Sequence, residues 1–114
     1  MLTPLEISKH AAEALAEKKG KELKILQVEN LTTLANYFVI CTATSSTHIK
    51  TLSDEIEEKL EALGEPVRRK EGLRSGGWVL LDYGCVVVHI FLEEIREFYN
   101  LERLWGDGQE IALD

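Results

Sequence analysis

Residues 78–91 read Trp78-Val79-Leu80-Leu81-Asp82-Tyr83-Gly84-Cys85-Val86-Val87-Val88-His89-Ile90-Phe91. Two apolar, β-branched runs flank a single glycine, which is the pattern of a β-hairpin. With the turn centred on Tyr83-Gly84, Asp82 is expected opposite Cys85, Leu80 opposite Val87 and Trp78 opposite His89. Directly opposed residues share a face. One face then carries Val79, Leu81, Tyr83, Val86, Val88 and Ile90 and is a core face. The other carries Trp78, Leu80, Asp82, Cys85, Val87, His89 and Phe91, a mixture of aromatic, carboxylate and imidazole groups. Either this second face is a partly exposed partner surface, or the last helix folds back over it with His89 bonded inside. This assignment depends on the turn: a slip of one residue in the pairing it sets would break it.

Working outward, Thr3, Pro4 and Glu6 form a capping box with proline at the first helical position. Leu5, Ala11, Ala12, Leu15 and Ala16 give that first helix an apolar stripe. Gly20 is expected to close it in the left-handed conformation. Leu23–Glu29 is a short strand. Tyr37–Ala43 is apolar on both parities and therefore a central strand. The polar run 44–47 precedes Ile49, Leu52, Ile56, Leu60 and Leu63, spaced by three and four as one helical stripe ending at Gly64. Val67–Lys70 fits a short edge strand, and Glu71–Gly77 a loop. Glu93–Trp105 is a last helix, and Gly106–Asp114 follows as a tail open to being mobile. The order is α-β-β-α-β-β-β-α, a mixed α/β (α+β) fold with helices mainly on one face of a five-stranded sheet.

The length of 114 residues fits one domain, residues 1–114. With 45% hydrophobic and 29% charged residues, the composition excludes disordered, collagen-like and disulfide-framework chains. No apolar run nears the roughly 20 residues of a membrane span. The start of the chain lacks a signal-peptide pattern, so a cytoplasmic protein is expected. Thirteen bases against 20 acids give a net charge of −7. Residues 93–114 hold seven acids and two bases, or −5, leaving −2 for the rest. That balance argues against direct nucleic-acid binding; the acidic end either attracts a basic partner or simply solubilises the chain.

Catalytic constellations are not evident. Cys85 and His89 stand about 13 Å apart on one strand at ~3.3 Å per residue, too far for a thiolate–imidazole pair. His10, His48 and His89 show no metal-ligand spacing, and Cys41 and Cys85 read as buried free thiols. No phosphate-loop motif occurs. The Ser/Thr run before the second helix, with His48, is open to two readings, an anion site or helix capping. The cluster Arg68, Arg69, Lys70 and Arg74 is likewise either a phosphate contact or a solvated, charged strand edge.

Several segments carry a family resemblance. Leu34–Ile40 resembles the ADYFVI segment of the ribosomal silencing factor (Iojap, RsfS) family. So do Glu71-Gly72, Gly77–Gly84, Val86–Phe91, Arg96–Tyr99 and Leu101–Trp105, in the same order and spacing. The resemblance implies a fold similar to the nucleotidyltransferase core without its activity, and no D-x-D magnesium pair occurs here. It implies no cofactor and no catalysis. The expected partner is the large ribosomal subunit through its basic protein L-fourteen, where occupation blocks joining of the small subunit and lowers translation when nutrients run short. A large-subunit assembly factor, or a nucleotide-binding or nucleotidyl-transferring enzyme, are the alternatives. Matching family positions, Trp78, Leu80, Asp82 and His89 become the expected protein-binding residues. Trp78 is the anchor, Asp82 an acceptor for a partner base, and His89 a rim donor or the group that orients the indole. Tyr99, Glu102 and Trp105 extend that patch or dock the last helix. The exposed apolar face also suits a homodimer. Cys85 and Asn36 stand where relatives usually carry Asp, so an ionic role at either position is in doubt.

Overall fold

The computed structural model describes residues 2–30, 35–72, 77–99 and 109–111. In chain order the elements are α1 (Pro4–Glu17), β1 (Lys21–Gln27), β2 (Tyr37–Ala43), α2 (Ser46–Ala62), β3 (Arg69–Glu71), β4 (Trp78–Asp82), β5 (Val86–Leu92), α3 (Glu93–Tyr99) and β6 (Gln109–Ile111). The strands form one six-stranded sheet in the order β3-β4-β5-β2-β1-β6. β2 and β5 run parallel, and every other neighbouring pair is antiparallel.

The expected sheet of five strands is thus one short. β6 lies in what the sequence presents as a tail and pairs Ile111 with Ile25 of β1. Three residues are too few for a periodicity to register. What fixes them is pairing to an otherwise open edge, with Ile111 packed on the core.

Physical chemistry at the element ends follows the sequence closely. Thr3 accepts from the Glu6 N–H and the Glu6 carboxylate accepts from the Thr3 N–H, completing the capping box. Ser45 caps α2 by accepting from the His48 N–H at 3.1 Å. At the end of α1 the left-handed residue is Lys19 (φ 65°), not Gly20. Gly20 is needed for space: a Cβ there would stand 2.4 Å from the Cys41 Sγ and 3.0 Å from the Leu15 carbonyl oxygen.

β2 is buried along its whole length, as a strand covered on both faces must be. On one face α1 and α2 lie over Ile25, Val39, Cys41, Val79, Leu81, Val88 and Ile90. On the other face a smaller cluster gathers Leu26, Phe38, Ile40 and Phe91, with Trp78, Val87 and Ile95 packed against it. Ile95 belongs to α3, so the last helix covers part of the second face rather than joining the other two. No linker separates β5 from α3, and the chain turns directly off the strand end.

Arg96 fastens this helix. It is 5% exposed, and its Nη1 donates to the Glu22 carbonyl and the Thr42 hydroxyl, each at 2.7 Å. Glu22 sits at an irregularity between β1 and β2 with φ 48°, a left-handed backbone that non-glycine residues seldom adopt.

The hairpin register also differs from expectation. Opposed residues are Trp78 and Phe91, Leu80 and His89, Asp82 and Val87. Tyr83 donates its N–H to the Val86 carbonyl at 2.9 Å, so the turn is Gly84-Cys85, one position later than expected. Gly84 has φ 86° and takes the first turn position, where primed hairpin turns require positive φ. Each partner moves by two residues, which preserves parity, so the faces survive for every strand residue. Cys85 is the exception: it stands in the turn, not opposite Asp82, and packs against the helix-covered core.

Candidate partner-binding face of the hairpin

The second face brings together Trp78, Leu80 and Asp82 from β4 with Val87, His89 and Phe91 from β5, and Phe38 from β2. Trp78 is half-buried. Its indole ring lies 4.9 Å from the Phe91 ring and 6.0 Å from the His89 ring, centroid to centroid. The indole Nε1 donates to His89 Nδ1 at 3.3 Å. His89 therefore orients the indole, one of the two roles expected for it.

His89 itself is not at the rim. It is 5% exposed, stacked on Phe91 at 5.9 Å and set edge-on to Phe38 at 5.0 Å. Burial among rings penalises the charged form and pushes its pKa down to about 4, so the imidazole is neutral at physiological pH. With Nδ1 accepting, the single ring proton of the neutral form is on Nε2. That nitrogen is buried and has no hydrogen-bond partner among the described residues.

Beside the imidazole lies a concavity of about 320 Å³. Phe38, Leu80, Val87 and His89 form its apolar part, and Arg68, Arg69, Asp82 and Gly84 the rest. Asp82 is more occupied than its sequence role suggests. Oδ1 accepts from the Gly84 N–H at 2.7 Å, holding the turn, while Oδ2 sits 3.7 Å from Arg69 Nη2. The Arg69 side chain is 66% exposed, so this ion pair contributes little and yields readily to a competitor. The Arg68 guanidinium lies across Gly84: a Cβ on that glycine would stand 2.8 Å from Arg68 Cζ.

Tyr99 is the final residue of α3, its side chain outside the described set; Glu102 and Trp105 lie outside the described residues altogether. The structure therefore brings together Trp78, Leu80, Asp82 and His89 of the expected site. It adds Phe38, which sequence reasoning missed, and Arg68, which the sequence offered only as part of a basic cluster and not at this face. The signal for Phe38 was its parity on a two-sided strand; Arg68 reaches the face only through the pairing of its N–H with the Asp82 carbonyl at 2.8 Å.

The other candidate positions resolve structurally. His48 accepts on Nδ1 from the Thr44 N–H at 3.0 Å and reaches the Lys18 carbonyl with Nε2 at 2.8 Å, so both nitrogens are used in joining α2 to the end of α1. Helix capping accounts for the Ser/Thr run. Arg69 and Lys70 lie on the exposed strand β3, and Arg74 falls outside the described residues. Asn36 donates from Nδ2 to Glu29 at 3.0 Å, a structural use for that side chain, and its backbone N–H donates to the Cys85 carbonyl at 2.7 Å. Burial pushes the Cys41 thiol up to about 12 and raises that of Cys85. Among the described residues no group of three or more His, Cys, Asp or Glu side chains is placed to hold a metal ion. No helix among them is long and apolar enough to cross a membrane.

A family model described as "Ribosomal silencing factor during starvation" matches residues 2–114. The chain belongs to the ribosomal silencing factor family. The Bacillus subtilis ribosomal silencing factor is 38% identical over 108 residues, spanning 95% of this chain and 92% of its own. A crystal structure of a Chromobacterium violaceum protein superposes with a TM-score of 0.89 at 40% identity, covering 97% of this chain and 92% of that one. A mouse protein named for mitochondrial assembly of the ribosomal large subunit is 30% identical over 94 residues, 80% of this chain and 41% of its own length. The ribosomal silencing factor fold is thus the mixed sheet described above, with the hairpin face on the side that α1 and α2 leave uncovered.

Proposed function

We propose that this silencing-factor chain is a non-catalytic translation regulator. It binds the large ribosomal subunit through the basic protein L-fourteen and sterically prevents the small subunit from joining. Family membership supports ribosome association, and the mouse relative's name supports the large subunit. The observation that carries the choice of surface is the half-buried Trp78, held by His89 at one end of a mixed apolar and polar face. Such preordered aromatic side chains are typical interface hot spots. The exposed Arg69 pair leaves Asp82 Oδ2 available to a partner Lys or Arg, a charge-assisted bond.

Co-sedimentation with purified large subunits tests this reading. Wild type is expected to pellet, and Trp78→Ala, confirmed folded by circular dichroism, to pellet at least tenfold more weakly, a loss of about 1.4 kcal/mol or more. Asp82→Asn keeps an acceptor for the Gly84 N–H and removes only the charge, so it isolates the ionic contact. Adding small subunits should then yield fewer joined ribosomes on a sucrose gradient. Equal pelleting of all three proteins rejects this surface, and a wild type that stays in the supernatant at all salt concentrations rejects the function. The assembly-factor alternative predicts accumulation of large-subunit precursors when the gene is deleted.

A further inference from the structure

The hydrogen-bonding capacity of the concavity lined by His89 and Arg68 is unbalanced. His89 is one of its lining residues, and the Nε2–H of that imidazole is a donor buried with no partner among the described residues. Its wall holds the Arg68 guanidinium, for which the described residues supply no ion-pair partner. Arg69 adds a second cation, already leaning on Glu71 at 4.0 Å and Asp82 at 3.7 Å. Asp82 Oδ1 is taken by the Gly84 N–H, and Oδ2 is held only loosely by the exposed Arg69. What is left unmet is donors. A buried donor without an acceptor costs about 1–3 kcal/mol, and native structures keep few of them.

We propose that this concavity is a subsite for an acidic side chain of the partner protein. The carboxylate would accept from His89 Nε2 and pair with Arg68, and its aliphatic stem would lie against Phe38, Leu80 and Val87. Nε2 is covered in the free protein, so the acid would enter with a side-chain adjustment of the kind common on binding; Leu80, directly opposite His89 and half-buried, is the neighbour that would move. The partner would then offer an acid here and a base to Asp82 Oδ2, two neighbouring charges of opposite sign. This order is stricter than attraction of an acidic protein to a basic one, and it adds specificity rather than bulk affinity. The inference rests on the reading of the hairpin face as a protein-docking surface.

The test uses the full chain labelled with nitrogen-15 in histidine, in which His10 and His48 serve as internal references. It is titrated with acetyl-Ala-Leu-Glu-Leu-Ala-amide, with the same peptide carrying Gln in place of Glu, and with sodium phosphate. The expected result is a saturable shift of the His89 Nε2 resonance with the Glu peptide, about tenfold weaker with the Gln peptide. Arg68→Gln, an exposed position whose change leaves the fold intact, should abolish the preference for Glu. No saturable shift at His89, equal binding of the two peptides, or an unchanged preference in Arg68→Gln overturns the proposal. Phosphate shifting His89 as strongly as the Glu peptide marks a simple anion site and overturns it too. Because no ribosome is present, the outcome separates from that of the pelleting experiment: peptide binding without pelleting rejects the ribosomal function alone.

Discussion

His89→Phe should make the protein less sensitive to acid. In the native chain the imidazole pKa is held at about 4 by burial, against 6.5 when the group is free. Between those values the unfolded chain binds a proton that the folded chain does not, so folding loses stability as pH falls. The loss sets in below about pH 6.5 and is complete near pH 4. It amounts to about 3 kcal/mol, at 1.36 kcal/mol per pH unit, which is a large share of the 5–15 kcal/mol that holds a domain folded. Phenylalanine keeps the stack on Phe91 and the edge contact with Phe38 but cannot protonate. At pH 7 the variant forfeits one long neutral hydrogen bond from Trp78, about 1 kcal/mol, and sheds the unpartnered Nε2–H, a gain of similar size. The two proteins should therefore unfold within about 1 kcal/mol of each other at pH 7. Urea titrations at pH 7, 6, 5 and 4.5 measure the gap, and all other titrating groups cancel in the difference. The variant should gain on wild type steadily as pH falls. A gap that stays constant from pH 7 to 4.5 would refute the argument, because it would mean that His89 is protonated inside the fold.

Arg96→Met should lower stability by about 3 kcal/mol, since it removes two charge-assisted bonds and strands the Glu22 carbonyl and the Thr42 hydroxyl; a chemical denaturation midpoint unchanged from wild type would contradict this. Gly20→Ala should cost about 1–3 kcal/mol through the clash with Cys41 Sγ, and Gly20→Ala combined with Cys41→Ala should recover part of it, which thermal melts of the single and double variants will read. A thiol reagent at pH 8 should label Cys85 well before Cys41 in the folded chain, as intact mass analysis after proteolysis can show; Cys41 is fully buried with its thiol held near 12, and Cys85 is only half-buried.

Much of this architecture was legible because it is encoded locally. The capping box of α1, the three-and-four spacing of α2 and the two-sided apolarity of Tyr37–Ala43 each needed only a short window of sequence. The two faces of the hairpin were legible for a subtler reason. Parity is all that face assignment requires, and the turn moved by one position on both strands together, leaving parity intact. What escaped depends on distant partners. Nothing within Glu93–Tyr99 says which side of the sheet it will cover; that is decided by Arg96 meeting Thr42 and Glu22, 54 and 74 positions away. β6 needed the edge of β1 to exist at all. In the candidate site, Trp78, Leu80, Asp82 and His89 do share a face, yet the sequence did not disclose that Asp82 is half consumed by its own turn. Nor did it disclose that the His89 Nε2–H would be left without a partner among the described residues, in the same concavity as Arg68.

The pairing of Ile25 with Ile111 has a consequence for how the molecule is made. Synthesis runs from the first strand toward the last, so β1 is available long before the segment that covers its outer edge. Even the centre of the sheet waits, because Tyr37 finds Val86 only after 49 further residues. Throughout that interval an incomplete set of strands presents unpaired backbone to its surroundings, the condition under which nascent chains misassociate. Three residues near position 110 therefore act as a late seal, and trimming them should harm recovery from overexpressing cells more than it lowers the stability of the molecules that do fold.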